Sequence, residues 1–546
     1  MDLIKLADAL IPDENVKPLS YYEERYPERN LEKGAEVTRL APSPTGFMHL
    51  GNLYVALANE RIAHQSGGVF YLRIEDTDEK RKVEGAVEVI HSSLKYFGVA
   101  FDEGADLSGE YGPYYQRQRA EIYHAYAKEL IKKGLAYPCF CGEEELESIR
   151  NYQTENKLLP GYYGEFAKCR NLSESEIYAN LKAGKPYVIR LKSQGDVEKK
   201  HPFRDAVKGE ITVTENNQDV VILKSDGIPT YHFAHAIDDH FMRTTLVIRG
   251  EEWLSSLPIH IELFNALGFK LPKYGHNCSI QKIDGDTRRK LSKRKDPEAS
   301  LTFYREQGYL PEAVRTYMMT LLNSNFEEWL LKNPDTPLDE FKYSIGKMGK
   351  SGALFDILKL NDISKTVMAK LSAEEMYDFL FAWAKDYGTD AQKAYFADKE
   401  YLLKVLTLCM GVGGKKRRKD FVCAKQAVEM IGYFFDETFA PEYAYRFDGE
   451  IVKKILTGFA NAYDYADDAQ GWFDKVKAVA SENGFATDMK AYKANPENYP
   501  GNVSDVAEML RVATTGLTNT PDLWTIMQIL GADRTLARLQ KAIQAI

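Results

Sequence analysis

No stretch of the 546 residues approaches the ~20 consecutive apolar residues that a bilayer-spanning helix needs, so the chain does not read as a helical membrane protein. The start, Met1-Asp2-Leu3-Ile4-Lys5-Leu6-Ala7-Asp8, also lacks the basic stretch and apolar run of a secretory signal. Cysteine is scarce. The six residues, at 139, 141, 169, 278, 409 and 423, are too few and too scattered for a disulfide framework, which fits a reducing compartment and predicts a cytoplasmic location. No repeat of fixed period and no low-complexity tract is present, which excludes solenoids and disordered tails. Positive charge is in deficit, with 71 Lys and Arg against 80 Asp and Glu for a formal charge of −9. That sum counts against general nucleic-acid binding, although local basic clusters can overrule it. What remains is an ordinary globular composition, 44% hydrophobic and 28% charged, long enough for about three to four domains at roughly 150 residues each.

Residues 1–34 read as an extension with an amphipathic start formed by Leu3, Ile4, Leu6, Ala7, Leu10 and Ile11. Val37–Leu40 then reads as a strand, Asn52–Ala63 as a helix and Gly68–Ile74 as a second strand, a βαβ order that predicts a doubly wound nucleotide-binding domain. From about Tyr114 to Gly227 the pattern becomes that of an inserted α+β subdomain. It holds a helix over Glu121–Lys133, the grouped cysteines, and strands at Tyr187–Leu191 and Asp219–Leu223. A helix at Tyr231–His240 and a strand at Leu246–Arg249 return to the α/β pattern, and after about residue 300 the periodicity is helical. Ser372 and Glu375 form a capping box before Met376, Phe379, Leu380 and Trp383. Thr520 is expected as a helix cap with Pro521 at the first helical position, Leu523, Ile526, Met527 and Leu530 as the apolar stripe and Gly531 as the stop.

Two segments carry chemistry. Ala41-Pro42-Ser43-Pro44-Thr45-Gly46, followed by His49-Leu50-Gly51-Asn52, puts a strand end, a glycine loop, an imidazole and a helix start within about a dozen residues, a place where a phosphate chain can dock. Lys290-Leu291-Ser292-Lys293-Arg294, flanked by Arg288, Arg289 and Lys295, is a loop whose two lysines can clamp a triphosphate and neutralise the departing pyrophosphate. Taken alone, the first reads more simply as a plain βα turn with a solvated histidine, and the second equally as a solvated basic loop.

Together, in this order and spacing, they resemble the class I aminoacyl-tRNA synthetases, with His49–Asn52 standing as the HIGH signature and Lys290–Arg294 as the KMSKS loop. Leu50 and Asn52 replace the isoleucine and second histidine of the first signature, and Leu291 and Arg294 depart from the second. Arg39–Gly46, Leu72–Asp78, Ser225–Tyr231 and Val247–Trp253 look like the bacterial glutamyl-tRNA synthetase. The glutaminyl, archaeal and eukaryotic enzymes have Pro-Pro-Glu-Pro where this chain has Ala41-Pro42-Ser43-Pro44. Phe355–Asn361 and Leu510–Gly516 extend the likeness into the helical half, which the truncated paralogue acting on a modified tRNA base lacks.

The resemblance implies an α/β class I Rossmann-type catalytic domain with an inserted α+β acceptor-binding subdomain, followed by an all-α stem-contact and anticodon-binding half. The expected boundaries are residues 1–34 for the extension, 35–116 and 227–285 for the two catalytic halves and 117–226 for the insertion. Residues 286–375 are expected to form the KMSKS loop and stem-contact region, and 376–546 the helical anticodon-binding region. It implies ATP-dependent activation of L-glutamate to glutamyl adenylate and transfer to the 3′-terminal adenosine of tRNA-Glu, with tRNA-Gln left open, by a monomer using Mg²⁺ with ATP. By motif position His49, Lys290 and Lys293 are catalytic. Arg39, Ser43, Glu75, Tyr231 and Arg249 bind glutamate, and His49, Gly51, Glu252, Trp253 and Lys293 bind ATP. The substrate chemistry agrees, because a dianion with one ammonium wants guanidinium groups and one carboxylate. His235 stands where some relatives have asparagine. Cys139, Cys141 and Cys169 match a zinc-binding segment of some relatives, but Asn171 fills the usual histidine position and Tyr162 and Tyr163 are offset from the usual tyrosine. A structural zinc takes four ligands, so zinc and three reduced thiols both stay open. Lys415–Lys419, in the half where relatives engage tRNA, is either a phosphate contact or a solvated loop. The competing readings are a catalytically silent tRNA-binding relative, against which His49, Glu75, Lys290 and Lys293 stand, and a glutaminyl-charging enzyme.

Overall fold

The computed structural model describes every residue except 79–82, 293 and 415 and the side chain of Asn15. It divides into two compact units, residues 1–303 with 315–356 and residues 304–314 with 357–546. No helix among the described residues is long and apolar enough to cross a membrane.

In the first unit, α1 (Leu3–Leu10) and α2 (Leu19–Arg25) lead into β1 (Val37–Leu40), α3 (Leu50–Gln65), β2 (Val69–Leu72), α4 (Ala86–Tyr96) and β3 (Glu103–Gly104). β1, β2 and β3 pair in parallel in that order, with Val37 opposite Val69 and Tyr71 opposite Glu103. Further on, β9 (Leu246–Gly250) pairs in parallel with β10 (Lys273–Asn277). The Thr245 N–H donates to the Val37 carbonyl at 3.0 Å, which sets β9 beside β1. A parallel sheet covered on both faces needs strands that are apolar throughout. β1 is buried at all four positions, so the arginine it carries, Arg39, is conspicuous.

Between these halves lie α5 (Ala120–Lys132), β4 (Ala136–Cys139), α6 (Glu143–Glu155), α7 (Glu174–Lys182), β5 (Val188–Leu191), β6 (Lys200–Asp205), β7 (Gly209–Thr214) and β8 (Val221–Leu223). β4, β5 and β8 form an antiparallel sheet, and β6 and β7 a hairpin. The first residues are folded onto this region. Lys128 on α5 reaches Asp8 at 2.9 Å and Asp13 at 2.5 Å, and Tyr187 donates to the Leu10 carbonyl at 3.1 Å. After α8 (Tyr231–Phe241) and α9 (Leu257–Leu267), the basic segment is a hairpin rather than a plain loop, since β11 (Ile280–Asp284) pairs antiparallel with β12 (Thr287–Lys290).

The second unit is helical, with one core among helices 373–387, 399–410 and 424–431 and another among 449–462, 469–482, 503–515 and 532–545. The Ser372–Glu375 capping box forms as expected, with Met376, Leu380 and Trp383 buried beneath it. Near the C-terminus the cap differs. The helix is Leu523–Leu530, and Asp522, not Thr520, accepts the Thr525 N–H at 2.9 Å. A carboxylate is the stronger acceptor there, and Thr520 and the Pro521 carbonyl are taken by Arg511. Gly531 does end the helix, at φ 81°.

α8 is buried along nearly its whole length, including Asp238 and Asp239. Asp238 accepts from Arg119 at 2.6 Å, Gln116 at 2.9 Å and Tyr123 at 2.9 Å, tying α8 to the start of α5. Stripping one partner from a buried ion pair leaves an uncompensated charge and costs about 3–5 kcal/mol. Asp238→Ala is therefore expected to lower the first thermal unfolding transition by several degrees in scanning calorimetry; an unchanged transition would contradict this account of how α8 is held.

Candidate active site

The carboxyl ends of parallel strands leave a crevice where such folds hold ligands. Here the ends of β1 and β9 and the start of α3 enclose a cavity of about 370 Å³, a size suited to a small-molecule site. Arg39, His49, Gly51, Glu75, Tyr231, Arg249, Glu252, Trp253 and Lys290 all line it. Ser43 does not; it is exposed on the loop after β1. His235 lies one layer below, fully buried, stacked on Tyr231 with ring centroids 5.7 Å apart. Lys293 lies outside the described residues.

The arginines differ in how their charges are met. Arg39 is 3.4 Å from Asp239, which also takes Arg73 at 2.6 Å and lies 2.8 Å from His235 Nδ1. Arg249 has no such partner. It is 5% exposed, and among the described residues no Asp or Glu is in salt-bridge reach of it. Its Nε donates to His276 Nε2 at 3.1 Å, Nη1 to His260 Nδ1 at 3.0 Å and Nη2 to the Trp253 carbonyl at 3.4 Å. A guanidinium has five N–H groups. With one spent on each of these three nitrogens, one is left on each terminal nitrogen, the spacing that grips a carboxylate fork. Glu75, also in the cavity lining, is 3.2 Å from Arg73 Nη2. Burial outweighs the pull of Arg73 and Arg39 and pushes its carboxyl up to about 7.

At the other end the His49 side chain caps α3, its Nδ1 accepting the Asn52 N–H at 3.2 Å while the His49 N–H donates to Asn52 Oδ1 at 3.0 Å. This explains why the helix starts at Leu50, two residues before the periodicity suggests. A Cβ on Gly51 would lie 2.9 Å from the His49 ring, so only glycine leaves the imidazole this position. Lys290 ends β12 and is 3.8 Å from Glu252, both side chains more than half exposed. Such a pair is weak and readily exchanged for a phosphate. Asp296 fixes the other end of the basic loop, accepting from Arg289 at 2.6 Å and from the Ser292 N–H at 2.9 Å. Asn277, 1% exposed and lining the cavity, has neither amide atom hydrogen-bonded among the described residues. His260, His276, Asn277 and Asp239 belong to no motif, and the sequence offers no signal for them beyond polar residues in apolar strands and helices.

The three cysteine Sγ atoms lie within 4.8 Å of one another, with Cys141 and Cys169 3.6 Å apart. Tyr162 supplies what spacing concealed. Its Oη is 3.4 Å from Cys139 Sγ and 3.2 Å from Cys141 Sγ, and it also accepts the Cys169 N–H at 3.0 Å. A tetrahedron with Zn–S bonds of about 2.3 Å has S···S edges of about 3.8 Å, so these four side chains fit the donor set. Among the described residues this is the one cluster of three or more metal-capable His, Cys, Asp or Glu side chains.

A doubly wound sheet with a capped histidine at the first helix, a basic hairpin and a charged pocket between them defines a class I aminoacyl-tRNA synthetase site. Residues 36–333 match the family described as tRNA synthetases class I (E and Q), catalytic domain, and residues 373–543 match an anticodon binding domain. The chain is 53% identical to the glutamate–tRNA ligase of Acetivibrio thermocellus, with all of both chains covered. It is 50% identical to that of Clostridium perfringens, with 99% of each covered. The crystal structure of the glutamate-tRNA synthetase from Elizabethkingia anophelis superposes with a TM-score of 0.75 at 29% identity, covering 93% of this chain and 100% of that one. The chain belongs to the glutamate–tRNA ligase family of class I synthetases.

The raised Glu75 carboxyl has a consequence for stability. Below its ordinary value of 4.5 both folded and unfolded chains hold the proton; between 4.5 and about 7 only the folded chain does. Its contribution is therefore complete at acid pH and lost as the pH rises through about 7. Glu75→Gln is expected to flatten the fall in melting temperature between pH 5 and 7.5, on the order of 3 kcal/mol in the wild type; parallel curves would refute the buried, protonated state.

Proposed function

We propose that this chain activates L-glutamate with ATP and transfers it to the 3′-terminal adenosine of tRNA-Glu. The observation that carries the reading is Arg249, a buried guanidinium in the cavity wall with no protein carboxylate among the described residues and one N–H free on each terminal nitrogen. It receives the side-chain carboxylate of glutamate. Glu75, lining the same cavity, takes the ammonium, and Arg39, with Tyr231 also in the lining, orients the α-carboxylate. A free carboxylate is already a nucleophile and needs no general base, so positioning and charge neutralisation supply the acceleration.

One α-carboxylate oxygen attacks the α-phosphorus of ATP, and the bond to the β-phosphate oxygen breaks and releases pyrophosphate. His49 and the first turn of α3 face the phosphates, Glu252 and Trp253 the nucleoside side, and Lys290 the departing pyrophosphate, with Lys293 assigned to the same role by motif position alone. Mg²⁺ bound to the triphosphate would supply further charge neutralisation there. The terminal hydroxyl of the tRNA then attacks the activated carbonyl and AMP leaves. Ser43 contributes from the exposed loop edge. In the helical unit a cleft lined by Lys365, Arg418, Lys419 and the 515–521 loop offers cations and backbone groups to RNA. Cys139, Cys141, Cys169 and Tyr162 would hold a zinc ion, which would brace the insertion.

Arg249→Gln should raise the KM for glutamate about 30-fold or more while kcat changes little, as measured by tRNA-dependent pyrophosphate exchange, because losing a buried charge partner costs about 2–5 kcal/mol. Unchanged glutamate dependence would defeat the reading. Lys293→Ala should lower kcat with the glutamate KM preserved. Elemental analysis of the purified chain should find one zinc, reduced at least tenfold in occupancy by Cys169→Ser under mild chelation; three freely titrating thiols at Cys139, Cys141 and Cys169 with no metal would reject the zinc assignment.

A further inference from the structure

Arginine in a dry site is ordinarily balanced by a carboxylate, and the same cavity shows that solution in Arg39 and Arg73, which share Asp239. Arg249 is held differently. Both of its side-chain partners are imidazoles, His260 and His276, each fully buried.

We propose that His260 and His276 are positioning residues whose uncharged rings orient Arg249 without neutralising it, so that the pocket discriminates a side-chain carboxylate from its amide. This deepens, and rests on, the reading that Arg249 receives the side chain of glutamate.

The hydrogen bonds fix the protons. Arginine only donates, so His276 Nε2 and His260 Nδ1 present lone pairs. His276 must then carry its proton on Nδ1, 2.6 Å from Asp205 Oδ2. Asp205 is itself immobilised by the N–H groups of Val207 at 2.9 Å, Lys208 at 2.7 Å and His276 at 3.2 Å. His260 carries its proton on Nε2, 3.0 Å from His232 Nδ1. A proton added to either ring would face the guanidinium across a single hydrogen-bond length.

Burial is what chiefly keeps the rings neutral. His260 meets His232, His235 and Arg249, which add to the lowering while Asp239 opposes it; His276 meets Asp205, which opposes the lowering, and Arg249 and Lys208, which add to it. With burial the largest cause, both are held below the ordinary imidazole range. Tyr274 completes the seat, with the Arg249 Cζ 4.8 Å from its ring centre. A glutamate carboxylate would cancel the charge left on Arg249, whereas the amide of glutamine would leave it buried and unbalanced.

The test is an isosteric pair. Asparagine at position 260 places a neutral oxygen near the lost Nδ1 lone pair, and aspartate places a charged one there. His260→Asn should keep the glutamate KM within about fivefold of wild type. His260→Asp should raise it at least about 30-fold and lower the preference for glutamate over glutamine by a similar factor, with the ATP KM unchanged in both. Equal effects of the two substitutions, or a matching rise in the ATP KM, would overturn the proposal. A readout independent of variant folding is the ¹⁵N spectrum of histidine-labelled wild-type protein at pH 7. It should show the Nδ1–H form for His276 and the Nε2–H form for His260; an imidazolium at either also overturns it. Arg249→Gln serves as the control: if it spares the glutamate KM, the assignment of the pocket has failed rather than that of the cradle.

Discussion

The carboxylate of Asp239 is the constraint on which the catalytic site is built. Arg39 stands in a strand buried at every position, and Arg73 is fully enclosed just beyond β2. Neither charge is tolerable there without an anion. Asp239 meets both, and is also 2.8 Å from His235 and 3.3 Å from the Tyr71 hydroxyl. It thereby ties α8 to the ends of β1 and β2, and Tyr231, about two turns upstream on the same helix, is delivered to the cavity wall. The helix that looks merely aromatic and polar in sequence is the one that sets the positions of the charged groups.

Asp239 opposes Arg73 and Arg39 only weakly at Glu75, which feels the pull of both. Its carboxyl is beside Arg73, yet burial prevails and it holds its proton to about neutrality. Arg249 is the complementary case, a charge with its geometry fixed and its balance withheld. A site with one arginine unbalanced and one glutamate tending to neutrality carries excess positive charge when empty. Such a pocket is preorganised for a dianion, and the affinity comes from charges already oriented rather than from groups that must move.

Much of this was legible in the sequence, and for reasons that can be stated. The βαβ start was visible because parallel buried strands read as continuous apolar runs, and Arg39 and Arg249 stood out by interrupting them. The Ser372–Glu375 box was visible because its spacing is local. The end of the chain was misread at Thr520 because two acceptors compete there and only the fold places Arg511 on the weaker one. Tyr162 was noted only as nearby and offset, because linear offset says little once a loop folds back. It lies seven positions before Cys169, yet its hydroxyl is in contact with Cys141 and accepts the Cys169 N–H. His260 and His276 were invisible because nothing in their neighbourhood distinguishes a cradle from a core histidine until Arg249 is seen between them.

The acidic sum of the chain and a polyanionic partner are compatible on physical grounds. At physiological ionic strength charges are screened beyond about 8 Å, so a net charge spread over 546 residues has little force at any single surface. What matters is whether cations are gathered and already held. In the run after Gly414, Arg417 donates to the Leu371 carbonyl at 3.0 Å, Arg418 to Asp420 at 2.7 Å and Lys419 to the Thr366 hydroxyl at 3.1 Å. Each tether removes rotamer freedom before a ligand arrives, and ordering a long basic side chain costs about 0.5–1.5 kcal/mol when binding must do it. The same composition that argues against nonspecific adhesion to nucleic acid thus permits a specific contact, because the favourable charges are local and pre-ordered, although Asp420 offsets Arg418 within the run.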